Sequence, residues 1–177
     1  MSKVLAIDTS TSRSCVAIIE GANVLYSGFR DGATAHGPSL PSLVQEALAV
    51  SDVDEVVVGM GPGPFTGLRV GIAFAQSFAL AREIPVRGVC SLDAIAAQVT
   101  DKDFIITVDA RRNEVYWARY TNGVRIGEPA VNFPADVTGA TIHADLFPDM
   151  VALVNLSGNI IEPMYLRRPD AVATADR

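Results

Sequence analysis

The sequence is poor in charge and poor in the side chains that carry out chemistry. Charged residues make up 19% of its 177 positions, and Lys and Arg number 14 against 20 Asp and Glu. No Lys/Arg-rich run occurs, so the basic footprint of a chain that grips a phosphate backbone is missing. There are two histidines, His36 and His143. They lie far apart with no second His at helical spacing, which excludes a locally built HxxxH-type metal site. The two cysteines, Cys15 and Cys90, each sit in an apolar strand-like run without framework spacing or an evident activating base. They read as reduced core residues of a cytosolic protein. Ser and Thr are plentiful, yet no G-x-S-x-G elbow exists, so no complete catalytic constellation can be assembled. No apolar run approaches the roughly 18 residues of a membrane-spanning helix. The N-terminus enters a strand after a single Lys3 and fits neither a secretory leader nor a transit peptide.

What the chain has in excess is hydrophobicity. At 49% apolar residues, little polar side chain is left to clothe a small protein, which predicts apolar surface meant for a partner. The length allows one or two domains.

Residues 4–7 (VLAI), closed by Asp8, lead through the polar turn TSTSRS into CVAII at 15–19, and EGAN then turns the chain into VLYSGFR at 24–30. This predicts a three-stranded antiparallel meander, because no crossover helix fits between the runs. Leu40, Leu43, Val44, Ala47 and Leu48 fall at helical spacing, with Pro41 placed where a first-turn proline is tolerated. The β-branched run EVVVGM at 55–60 predicts a strand covered on both faces. It is followed by GPGPFTG at 61–67 and by LRVGIAFAQSFALARE, a helix apolar over most of its circumference. Such a helix should be buried on several sides. Gly67, Gly71, Ala75 and Ala79 form a strip of small residues along it, suited either to a partner's backbone or to close packing on the chain's own sheet. PVRGVC at 85–90 reads as a strand, and Ser91 as the N-cap of a short helix over LDAIAAQV.

The opening order then returns. FIITV, Asp109, the turn ARRNE, VYWARY, TNG and VRIG repeat strand, Asp, turn, strand, turn, strand, while the pattern fades beyond Pro129. The fold class that follows is α/β, of the ribonuclease-H-like, actin-like ATPase (ASKHA) kind, in two lobes with mixed sheets. Residues 1–100 form the N-terminal lobe and 101–177 an abridged second lobe.

In that fold the first meander turn holds phosphate and magnesium. Asp8, Thr9 and Ser10 lie there but lack the glycine that lets a phosphate approach. Asp8 either organises a metal or ends its strand and ties the turn through Asx-type bonds. Arg111 and Arg112 could pair Asp109 or bind an anion. The loop from Gly61 through Gly63, Phe65 and Thr66 to Gly67 opens a helix but lacks the lysine of a Walker motif, and Pro62 and Pro64 each remove a donor. It is better read as a rigid shape.

The combination of LAIDTST at 5–11, GPGPFTGLRVG at 61–71 (which includes Arg69), SLDAIA at 91–96, VDARRNEVYWA at 108–118 and PMYLRR at 163–168 resembles the TsaB family, also called YeaZ. Pro64 departs from the Ser common in that loop, and GPSLP follows His36 where an HS-x-x-LLP-type segment is usual. The resemblance implies a vestigial phosphate turn, no cofactor, no independent activity, and a heterodimer with the catalytic paralogue TsaD. TsaE, an ATPase, joins that pair, and TsaC supplies the threonylcarbamoyl-adenylate. Contact with tRNA would run only through the complex, and a homodimer could form when TsaD is absent. The family's contact helices map onto residues 39–50 and 67–82. Leu40, Leu43, Val44, Leu48, Leu68, Gly71, Ile72 and Ala75 are therefore expected at the interface, and charged replacements of Leu43 and Ile72 should abolish the heterodimer without unfolding the chain. The competing readings are an ATP-dependent phosphotransferase built on Asp8 and a peptidase.

Overall fold

The computed structural model describes residues 1–167. The meander forms as expected: β1 (Lys3–Asp8), β2 (Arg13–Glu20) and β3 (Asn23–Asp31) pair antiparallel. The chain then crosses through α1 (His36–Leu48) to β4 (Glu55–Gly59), and through α2 (Phe65–Arg82) to β5 (Val86–Val89). Both new strands add in parallel, giving the order β3-β2-β1-β4-β5. This is the ribonuclease-H-like arrangement, and it follows from the meander having used up one side of β1.

Alternation along β1 divides the core. Leu5 and Ile7 face α1 and α2 together with Val16, Ile18, Val56 and Val58. Val4 and Ala6 face the other way with Ala17, Ile19 and Val57. Successive strand side chains point to opposite faces, so a strand apolar at every position must be covered twice.

Two helix boundaries differ from the expectation. The first helix begins at His36, which puts Pro41 inside it rather than in its first turn. Gly37, whose carbonyl Pro41 cannot bond, is exposed to water. The second helix starts at Phe65, so the glycine loop ends three residues sooner.

After α3 (Ser91–Ala96) a second sheet repeats the plan with β6 (Asp103–Asp109), β7 (Val115–Thr121) and β8 (Val124–Asn132), again an antiparallel meander. The duplication extends to β9 (Thr141–His143), which pairs parallel to β6 as β4 does to β1. The abridgement lies in the crossover. Where the first half uses the 13 residues of α1, the second reaches β9 through a single 3-10 turn at Pro134–Asp136. Neither β9 nor the following α4 (Met150–Asn155) is signalled by periodicity, both being only about a turn or a half-strand long.

Helix α4 returns to the first sheet, with Leu153 in the cluster of Ala6 and Val57. Arg87 of β5 ties it down: Nη1 donates to Leu156 O at 2.7 Å, Nη2 donates to Val154 O, and Nε donates to Glu55 Oε1 at 2.9 Å. The closing segment then runs along the outer edge of β5, with Ile160 N donating to Gly88 O, and on to the end of β4, with Met164 N donating to Met60 O, both at 2.8 Å. A covered edge strand cannot template association. Among the described residues no helix is long and apolar enough to cross a membrane.

Arg87→Ala should orphan two carbonyls at the end of α4 and lose about 1–3 kcal/mol. The thermal unfolding midpoint should fall by several degrees, and Arg87→Lys, lacking the fork, should recover only part of it.

Candidate functional site

The two motifs singled out in the first hundred residues meet and close on each other. Strand β1 ends by delivering Asp8 into the interior, where it is fully buried, and Thr9, Ser10 and Thr11 are buried beside it. The Asp8 carboxylate accepts from Ser10 N at 2.8 Å, Ser10 Oγ at 2.7 Å and Ser91 Oγ at 2.6 Å. Ser91 is therefore not the N-cap of α3. Cys90 occupies that position without a side-chain bond, and the Ser91 hydroxyl is turned instead onto Asp8. Burial pushes the Asp8 pKa up, and the hydrogen bonds from Ser91 and Ser10 oppose that only in part.

The loop glycines let this turn pack against the start of α2. A Cβ at Gly59 would fall on the Asp8 carboxylate, at Gly63 on the Ser10 backbone, and at Gly71 on the Thr9 side chain. At Gly67 it would stand 2.9 Å from Thr9 O, and the Thr9 hydroxyl donates to Gly67 O at 2.8 Å. The first turns of α2 thus lie directly on Thr9, with no room for a side chain between them. Gly61 is buried as well, its N–H reaching Ser91 Oγ at 3.3 Å.

Beside this turn, Ser14 Oγ lies 2.7 Å from His36 Nδ1, with both residues buried. Burial lowers the His36 pKa, against the pull of the Asp8 charge. Burial also pushes the thiols of Cys15 and Cys90 up to about 12, which leaves both inert.

The corresponding turn of the second sheet stands open. Asp109 is exposed, accepts from Arg111 N at 2.8 Å and pairs with the Arg111 guanidinium at 3.7 Å. Between the start of α2 and the second turn runs a cleft of about 700 Å³ whose lining includes Pro64, Phe65, Thr66, Arg112 and Tyr165. The closing PMYLRR segment forms one wall: Tyr165 lies 4.8 Å from the Phe65 ring, and Arg167 donates to Ala110 O at 3.0 Å and pairs with Glu114. Arg168 lies outside the described residues. Among those residues, no group of three or more His, Cys, Asp or Glu is arranged to hold a metal ion.

The expected interface residues need correction. Leu40, Leu43, Val44, Leu68, Ile72 and Ala75 are buried in the chain's own core, Gly71 is buried against Thr9, and Leu48 is half-buried at the margin of the same cluster. The small-residue strip faces inward too. Spacing cannot choose between two apolar faces of one helix, and the sheet claimed this one. The outward face of α2 is mixed: Ala73 and Leu80 are exposed, Leu80 by 81%, with Val70 half-exposed, and Thr66, Gln76 and Ser77 are exposed among them. Arg69 is exposed at its start, with its guanidinium 4.9 Å over the Phe65 ring. By contrast the outward side of α1 is polar, and its Glu46 is taken by Arg30 at 2.7 Å.

Residues 30–165 match the family model described as TsaD, tRNA N6-adenosine threonylcarbamoyltransferase. An uncharacterized protein of Mycobacterium tuberculosis is 44% identical over 200 aligned positions, covering 97% of this chain and 94% of that protein. Because that alignment is longer than the 177-residue chain, the relative carries residues absent here. The tRNA threonylcarbamoyladenosine biosynthesis protein TsaB of Escherichia coli is 36% identical over 71% of this chain and 59% of its own length. Among solved structures, an uncharacterized protein described as similar to peptidase YEAZ from Pseudomonas aeruginosa superposes with a TM-score of 0.79 at 27% identity, covering 94% of this chain and all of that one.

Because the folded pKa of Asp8 lies above its unfolded value, the neutral form is the one the fold favours. Its contribution is present below the ordinary carboxylate pKa of 3.8 and is lost as pH rises through the folded value. Asp8→Asn should therefore fold and show a flatter decline of stability toward neutral pH, measured by urea unfolding across a pH series. Asp8→Ala should instead lose at least about 2 kcal/mol by orphaning buried donors.

Proposed function

The chain belongs to the TsaB/YeaZ family, and on that premise we propose that it is the non-catalytic partner of a TsaD-type transferase in the synthesis of threonylcarbamoyladenosine on tRNA. The observation that carries this reading is the closed turn. Asp8 has no access to water, its hydrogen bonds are met within the chain, and the start of α2 packs directly on the turn that follows it. A chain that keeps a nucleotide-binding topology but packs its own helix on that turn fits a scaffold better than an ATP-dependent phosphotransferase. The peptidase reading fares no better, since Ser14 and His36, the first residue of α1, are both buried.

On this account residues 1–100 form the lobe that docks and 101–177 the shortened lobe behind it. TsaD binds the outward face of α2, through Val70, Ala73, Ser77 and Leu80, and is thereby activated. TsaE joins the assembled pair. The tRNA is held by the complex, consistent with a formal net charge of −6 on this chain. A second copy covers the same face when TsaD is absent.

Leu80→Asp and Ala73→Glu should weaken co-purification with TsaD by at least about 30-fold while leaving thermal unfolding unchanged. Leu43→Asp and Ile72→Asp, being core substitutions, should unfold the chain. Wild-type binding by the Leu80 and Ala73 variants would remove this face from the interface.

A further inference from the structure

The sequence has no Lys/Arg-rich run, but the fold assembles a cationic site from separate segments. The cleft between the start of α2 and the second turn is lined by Arg111 and Arg112 from that turn and by Arg167 from the closing segment. Among the described residues no Asp or Glu lines it, and the carboxylates that pair with Arg111 and Arg167, those of Asp109 and Glu114, lie outside the lining. Much of the remaining wall is aromatic, with Phe65, Tyr116 and Tyr165. A fourth guanidinium, that of Arg69, stands 4.9 Å over the Phe65 ring. On a chain of formal net charge −6 the cleft is an exception, and it marks where a polyanion repelled elsewhere could approach.

The turn that supplies two of these cations is built against local preference. Arg111, Arg112 and Asn113 take φ of 66°, 54° and 61° in succession. The left-handed region is unfavourable for residues with a Cβ, and of these three only Asn visits it readily. Such a conflict is expected where a segment answers to something other than its own stability. Its outcome is that both arginines stand exposed in the cleft wall.

Guanidinium forks match phosphate oxygens, and aromatic rings and arginine planes stack on unpaired bases. A cleft of about 700 Å³ is of the size that takes one nucleotide unit. We propose that it holds a phosphate and the adjoining unpaired base of the substrate RNA, with Arg111 and Arg112 on the phosphate and Tyr165 against the base. Phe65 and Thr66 line this cleft and also the hollow formed with Val70 and Ala73 at the head of the outward face of α2. A strand held here therefore runs beside the docked transferase, which favours RNA over a free nucleotide. The inference rests on the reading of this chain as the partner of TsaD, and names where the chain itself touches the RNA.

Binding of tRNA to the assembled complex with TsaD, titrated over a salt series, tests this. Replacing both Arg111→Asn and Arg112→Asn keeps residues that tolerate the left-handed turn and removes two charges. This variant should bind tRNA about tenfold more weakly, and its slope of log Kd against log salt should fall by about 1.4, at about 0.7 per phosphate contact. Lys at both positions should restore the slope. Tyr165→Ala should weaken binding about tenfold with the slope unchanged, because stacking is not a counterion effect. TsaD co-purification and thermal unfolding of the arginine variants should match the wild type. An Asn variant with wild-type tRNA affinity and slope would overturn the proposal, and so would a Lys variant with no better slope than the Asn variant. Calorimetry with ATP and adenosine monophosphate separates the other source of the same chemistry: a free nucleotide that binds and is lost in the Asn variant, while tRNA binding is unmoved, would also overturn it. A chain that fails to co-purify with TsaD would remove the parent reading and this one with it. A normal complex with unmoved tRNA binding would remove the cleft alone.

Discussion

The carboxylate of Asp8 holds the first lobe together at its most crowded point. It ends β1, gathers the turn after it through Ser10, and reaches Ser91, 83 residues away, at the head of α3. Ser91 in turn receives the N–H of Gly61 at the start of the loop into α2. Three segments distant in sequence are thus referred to one buried acid. Such a group is stable only if every polar atom near it is satisfied, because a lost partner in a dry interior exposes the full desolvation cost. The glycines at 59, 63, 67 and 71 follow from the same crowding, since each stands where a Cβ would strike this turn.

The two halves of the chain show what that closure changes. Both sheets run the same meander with an aspartate at the end of the first strand, yet Asp8 is sealed and Asp109 is solvent-exposed beside Arg111. The difference lies in the crossovers. Helices α1 and α2 press the first turn shut, whereas the second half passes through one 3-10 turn that presses on nothing comparable. Helix α2 has one side deep in the core and the other, bearing Leu80, facing water.

Much of this is legible in the residues, and the failures have physical causes. The strands can be read because β-branched runs end sharply at Asp, Gly and Asn. The boundary of α1 escapes because Pro41 looks like a first-turn residue and is tolerated one turn further in. Ser91 looks like a cap because capping is a local preference, and a local pattern cannot announce a partner in β1. The orientation of α2 is illegible in principle: a helix apolar on both sides offers no moment to say which side is inside. Composition raises the expectation of apolar surface, and Leu80 of α2 is one of several large apolar side chains left exposed. Composition does not indicate which residues make up that surface, and Leu43, Leu68 and Ile72 belong to the core instead.

The central claim is that this chain is required for threonylcarbamoyl transfer without performing it. Formation of threonylcarbamoyladenosine on tRNA should be measured with TsaC, TsaD and TsaE, with this chain present, omitted, or supplied in place of TsaD. The account predicts product only when the chain and TsaD are both present. Product that is indifferent to the chain, or that forms when it replaces TsaD, would contradict it.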